Sequence, residues 1–149
     1  RLLGKLPRSF RLVLDTTFLV LHYFSSEDQI LKRTREILRR CTMQGNRGLV
    51  PTIVLAEFYV QAAKRAGREE ARRRFEEVTS SDLEFPNLDT IASQKAGHLR
   101  HKYQEKIPWG DCIIAATSIV HNADFVLSED PHFRALGEIK ARRLDAITL

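Results

Sequence analysis

Two adjoining stretches constrain this chain most. They are Pro108-Trp109-Gly110-Asp111-Cys112-Ile113-Ile114-Ala115-Ala116-Thr117 and Asn122-Ala123-Asp124-Phe125-Val126-Leu127-Ser128-Glu129-Asp130. Pro108 and Gly110 break the polar segment before them, and a helix of small apolar residues opens at Asp111. Its acid falls in the first turn, where backbone N–H groups are unpaired and the dipole favours negative charge. Phe125-Val126-Leu127 is a short apolar run that reads as a buried strand ending at Ser128. Asp130 then lies just past a strand's carboxyl end and Asp111 just inside a helix's start. In an open α/β sheet those two places face one crevice.

The rest of the chain has the same alternation. Phe10 to Leu14 reads as a strand ending at Asp15, and Thr16 or Thr17 caps a helix running to Phe24. Ser25-Ser26-Glu27 caps a second helix with apolar Ile30, Leu31, Ile37 and Leu38 on one face. Leu49-Val50 is a short strand closing on Pro51-Thr52, and Thr52 caps a helix that carries Glu57 one turn in and ends at Gly67. A charged helix follows over Arg68–Val78, with Glu69/Arg73 and Glu70/Arg74 at the supportive (i, i+4) spacing. Its charges read as a solvated face rather than a nucleic-acid track. Leu83-Glu84-Phe85 reads as an edge strand, Asp89-Thr90 opens a helix, His132–Leu136 makes a short helical turn, and Arg143–Leu149 ends the chain as a strand. Alternating strands and helices predict an α/β fold, with a mainly parallel sheet flanked by helices on both faces.

Length and charge narrow the partners. With 149 residues and 43% hydrophobic content, residues 1–149 are expected to form one domain with a real core. No apolar run approaches the roughly 20 residues of a membrane helix, and no secretory signal stands at the start. Cys41 and Cys112 have neither a metal-site spacing nor a disulfide framework. Cys112 reads as a small core residue, and a cytoplasmic setting is the expectation. A net charge of +5 makes a polyanion one candidate partner, with a basic lead-in over Arg1–Arg8.

Asp15, Glu57, Asp111 and Asp130 all fall on the side of the sheet that α/β folds use for ligands. Crowded carboxylates repel, and relief comes from a hard divalent cation or a raised pKa. An all-oxygen donor set suits Mg²⁺ or Mn²⁺, and such an ion can activate water and neutralise charge on a phosphodiester. The bland alternative makes each acid a mere cap or turn residue; four placed alike argue against it.

These residues carry a resemblance. Leu14-Asp15-Thr16-Thr17-Phe18-Leu19, Pro51-Thr52-Ile53-Val54-Leu55-Ala56-Glu57, Asp111 to Thr117, and Ala123 to Phe133 are similar, in order, to a PIN-domain ribonuclease. The likeness is strongest to the VapC-type toxins of prokaryotic toxin–antitoxin pairs. It implies a parallel sheet flanked by helices and Mg²⁺- or Mn²⁺-dependent cleavage of single-stranded RNA. It also implies an acidic site of Asp15, Glu57, Asp111 and Asp130, supported by the hydroxyls of Thr16 or Thr17 and of Ser128. Asp15, Asp111 and Asp130 would bind the metal directly or through water, and Glu57 would bind it or orient the attacking water. A homodimer and an antitoxin are the implied protein partners. A surplus of apolar residues on the helices Ser26–Arg40 and Thr52–Ala66, including Phe58, Tyr59 and Val60, points the same way.

Competing classes fit less well. Asp15-Thr16-Thr17 lacks the second Asp of a haloacid-dehalogenase-type phosphatase. No Gly-rich loop follows the first strand, which disfavours a nucleotide-binding Rossmann fold, and a receiver-like domain would need an acid pair there. A PIN-like scaffold that binds RNA or protein without cleaving is the remaining alternative. His98 and His101 read as solvated or RNA-facing rather than as metal ligands. His132, beside Asp130, reads as a turn contact, with a touch on substrate as the alternative. Trp109 is a candidate for base stacking, with a core or interface role as the plainer reading.

Overall fold

The computed structural model describes residues 5–149, so the first four residues of the basic lead-in lie outside the described residues. Four strands, β1 (Arg11–Leu14), β2 (Arg47–Leu49), β3 (Phe125–Leu127) and β4 (Ala141–Arg142), form one sheet in the order β2-β1-β3-β4. Every pairing is parallel. Six helices surround it: α1 (Thr16–Phe24), α2 (Asp28–Cys41), α3 (Thr52–Ala66), α4 (Arg68–Thr79), α5 (Thr90–Lys102) and α6 (Trp109–Val120).

Burial explains the strand sequences. A parallel sheet covered on both faces needs continuous apolar runs rather than alternation. Leu12, Val13 and Leu14 of β1 and all three residues of β3 are buried. Helix α6 lies against these central strands with Cys112, Ile114, Ala115 and Ala116 buried, and its alanines let helix and sheet approach closely. Cys41 and Cys112 are buried free thiols, the core role expected of Cys112. No helix among the described residues is long and apolar enough to cross a membrane.

Register places the site. Leu14 pairs with Leu127, so the next residues on each strand, Asp15 and Ser128, emerge side by side at the carboxyl edge of the sheet. The strand order reverses between β1 and β3, and that switch point is where open α/β sheets bind ligands.

Several local expectations are corrected. The carboxylate of Asp15, not the hydroxyl of Thr16 or Thr17, caps α1, accepting from the Thr17 and Phe18 amides. Pro51 takes the N-cap position of α3 with no side-chain cap, so Thr52 is the first helical residue rather than the cap. Ser25 serves the turn before α2 by accepting from the Glu27 amide, and Glu27 at the N-cap makes no side-chain cap bond. Leu83–Phe85 contributes only a bridge, Glu84 to Leu49, at the sheet edge. The last strand lies earlier than Arg143–Leu149. Ala141–Arg142 pairs with β3, Leu144–Ala146 turns as a 3-10 segment, and Thr148 bridges Lys5. The Arg33 guanidinium donates to the Leu144 and Ile147 carbonyls, satisfying backbone that strand pairing would otherwise claim.

The expected apolar surplus on α3 is also smaller than its sequence suggests. Phe58 is fully buried, with the rings of Tyr23 and Phe24 at 5.4 and 6.4 Å, and Tyr59 packs on Phe75 at 6.3 Å. Helices α1 and α4 cover these rings, which leaves Val60, 49% exposed, as the open member of the three.

Candidate active site

Asp15 stands just past the carboxyl end of β1 and is 3% exposed. Its Oδ1 accepts the Thr17 hydroxyl at 2.6 Å and the Thr17 and Phe18 amides at 2.8 and 3.3 Å. Its Oδ2 accepts the Ser128 hydroxyl at 2.6 Å. Burial raises its pKa to about 6, and the hydrogen bonds from Ser128, Thr17 and Phe18 oppose that rise.

The same hydroxyls fasten the loop after β3. The Glu129 amide donates to Thr17 Oγ1 at 2.8 Å, and the Asp130 amide donates to Ser128 Oγ at 2.9 Å. Asp130 then accepts the His132 amide at 2.9 Å, capping the 3-10 turn Pro131–Ala135. The Thr16 hydroxyl points elsewhere and donates to Glu57 Oε1 at 2.5 Å. So Thr17 and Ser128 hold Asp15 and its neighbouring loop, while Thr16 holds Glu57.

Asp111 occupies the first turn of α6 and is 8% exposed. Its Oδ2 is buried and accepts no hydrogen bond. Burial is the main cause of a pKa raised to about 8, followed by the charge of Asp130, hydrogen bonding of the protonated carboxyl with Asp130, and the charges of Glu57 and Asp15. A buried carboxylate oxygen without a donor is costly unless a proton or a cation meets it. Glu57 completes the group from α3, and a Cβ on Gly110 would lie 2.5 Å from Glu57 Oε2. The bare backbone at Gly110 therefore makes the room in which that carboxylate sits.

Asp15, Glu57, Asp111 and Asp130 all line one cavity of about 520 Å³. They are not equally close. Asp111, Asp130 and His132 are the described residues whose ligand atoms gather within 4.8 Å of one another. His132 Nδ1 lies 2.9 Å from Asp130 Oδ1 and 3.2 Å from Asp111 Oδ2, within ion-pair range of both. His132 is thus more than a turn contact. The spacing of two residues from Asp130 is the available signal, but its reach to Asp111 depends on packing between α6 and the 3-10 turn.

The other sequence candidates separate. His98 and His101 are exposed on α5, outside the acid cluster. Trp109 is 54% exposed, with the Arg100 guanidinium 5.3 Å from its ring centre, which rules out a core role. Glu69 pairs with Arg72 rather than Arg73, and the α4 charges form a web of surface ion pairs with Glu70, Glu76 and Glu77. Arg65, which the sequence does not single out, lines the acidic cavity.

The fold has counterparts among known proteins. A family model for the PIN domain matches residues 12–139. The chain belongs to the PIN domain family. No curated protein matches it. Among solved PIN-like structures, VapBC of Salmonella typhimurium bound to DNA superposes with a TM-score of 0.73 at 20% identity, covering 91% of this chain and 98% of that one. VapBC2 of Rickettsia felis bound to a promoter DNA fragment gives 0.71 at 20% identity, covering 89% and 98%. VapC20 of Mycobacterium tuberculosis gives 0.68 at 14% identity, covering 85% and 95%. At these identities the likeness speaks for the PIN fold.

Proposed function

We propose that this PIN domain is an endoribonuclease that uses Mg²⁺ or Mn²⁺ to cleave single-stranded RNA. The observation that carries the proposal is Asp111 Oδ2, a buried carboxylate oxygen without a hydrogen bond, amid Asp15, Glu57 and Asp130. An all-oxygen set of this kind suits a hard divalent cation. Asp111 and Asp130 would hold the ion, with Asp15 and Glu57 as ligands directly or through water. The bound ion would supply Lewis acidity at the phosphodiester and a more acidic water.

The chain's own residues do the rest. Ser128 and Thr17 fix both oxygens of Asp15, so the carboxylate meets substrate without reorganising. Thr16 holds Glu57 at the cavity wall, where it can orient the attacking water. His132 stands where it can donate to Asp111 or Asp130.

Relatives inform the biological setting. VapC20 is named as a sarcin–ricin loop cleaving toxin, and another neighbour, VapBC-5, is named as a member of a family of toxin–antitoxin systems. In this reading the chain is a toxin or an RNA-processing nuclease, with an antitoxin and a second copy as protein partners. Light scattering should then return a dimer at high concentration, and a strict monomer without any partner would count against it.

Cleavage decides between a nuclease and a scaffold that merely binds. Single-stranded RNA should be cut with Mg²⁺ or Mn²⁺ and spared in EDTA, and Asp15→Asn should remove most activity while leaving the fold intact. Equal cutting in EDTA, or no cutting under any metal, would overturn the proposal.

A further inference from the structure

The acidic cavity has one cationic lining residue among those described, Arg65, near the carboxyl end of α3. Glu57, Gln61 and Arg65 follow one another at four-residue spacing, so they form a single stripe along α3. Eight residues at 1.5 Å rise put Arg65 about 12 Å along the axis from Glu57. The guanidinium is held in place by Nη1, which donates to Gln61 Oε1 at 2.7 Å.

Arg65 differs from the arginines near it. On α4, Arg72, Arg73 and Arg74 are each neutralised by glutamates at three- or four-residue spacing. Arg65 makes no ion pair with an acid among the described residues, and its hydrogen bonds go to Gln61 alone. Of the cavity's other acids, Glu129 is engaged elsewhere, with Arg143 at 3.2 Å and the Leu144 amide at 2.8 Å. Besides Gln61, the cavity wall carries the apolar side chains Val20, Leu21 and Val60. A planar guanidinium with free donors matches a phosphate in two-pronged geometry, and an apolar wall beside it suits a ribose or base face.

We propose that Arg65 binds the phosphate of a nucleotide flanking the scissile one, with its sugar or base against Val20, Leu21 and Val60. The inference rests on the ribonuclease reading above. It gives the cavity a polarity that the acids alone do not: the cut phosphate lies at the carboxylate end and a flanking phosphate is gripped at the α3 end. Arg65 is then a substrate-positioning residue.

The test compares Arg65→Ala and Arg65→Lys with the parent and with Arg72→Ala, which removes the same charge from an ion-paired site. Cleavage of a single-stranded RNA is followed in Mg²⁺. Binding of the labelled RNA is followed across salt concentrations in an Asp15→Asn background. Arg65→Ala should raise KM about tenfold, as for loss of one charge-assisted hydrogen bond, with the loss falling on KM rather than kcat. The slope of log affinity against log salt should fall by about 0.7, the value for one phosphate contact on a single strand. Arg65→Lys should restore the slope and only part of the affinity, and Arg72→Ala should match the parent. If the parent cuts RNA while Arg65→Ala keeps its KM and salt slope, or loses kcat instead, the inference is overturned. If the parent does not cut, the nuclease reading itself fails.

Discussion

Ser128 Oγ donates to Asp15 Oδ2 across 2.6 Å, joining the carboxyl ends of the two central strands, β3 and β1. The same hydroxyl accepts the Asp130 amide, so one small side chain fixes two of the four acids. Ser128→Ala would leave the buried Asp15 oxygen without its donor, a loss of about 1–3 kcal/mol of stability, and should lower the cleavage rate about tenfold or more, on the scale of losing a preorganised donor. Ser128→Thr keeps the hydroxyl and should keep most of the activity. Melting curves and single-turnover cleavage of the three proteins check this, and an active, stable Ser128→Ala would contradict it.

Gly110 and Glu57 provide a test that separates activity from stability. A methyl at position 110 would meet Glu57 Oε2 at 2.5 Å, and the mobile end of that side chain can move away. Alanine also favours helix over glycine by up to about 1 kcal/mol. Gly110→Ala should therefore melt at or above the parent's temperature yet lose at least about tenfold in cleavage, the order expected when a positioned catalytic group is displaced. Full activity in Gly110→Ala would remove Glu57 from the proposed machinery.

Much of this arrangement is legible in the sequence, because strand ends and helix starts are marked by local chemistry. Asp15 follows an apolar run, Asp111 follows Pro108 and Gly110, and Asp130 follows Phe125–Leu127, so each acid can be assigned to the ligand side of the sheet. The supporting hydroxyls are legible as a set, but not their division of labour. That Thr16 serves Glu57 while Thr17 serves Asp15 depends on how α1 meets α3. His132 reaches Asp111, and Arg65 reaches the cavity, through tertiary packing that no local pattern encodes. The terminal strand is misplaced by local pattern for a related reason: Arg143–Leu149 has strand-like residues, but Arg33 on α2 satisfies its carbonyls instead. Phe58 reads as interface in the sequence because α3 carries apolar residues on more than one face, and α1 and α4 cover that side within this chain.

The raised carboxylates predict an unusual pH dependence for the metal-free protein. Asp15 and Asp111 titrate at about 6 and about 8 when folded, against 3.8 for the ordinary carboxylate. The folded state therefore binds more protons than the unfolded state between these values, and stability from these groups falls as pH rises through that window. In EDTA, the melting temperature of the parent should drop relative to Asp111→Asn as pH goes from about 4 to about 8, the interval between those pKa values. Parallel curves for the two proteins would show that Asp111 is not ionised at a cost.

Convergence of the four acids on a cation is tested most directly by thermal melting of the parent and Asp111→Asn, with and without Mg²⁺. Without metal, the neutralised variant is relieved of carboxylate repulsion and should melt at the same or a higher temperature. With Mg²⁺ at 100 times its dissociation constant the parent should gain roughly 2.7 kcal/mol, and Asp111→Asn should lose most of that gain. If Asp111 were only a helix-terminal residue, Asn would serve about as well there and Mg²⁺ would act equally on both. A variant that is less stable without metal yet keeps the full Mg²⁺ shift would contradict convergence.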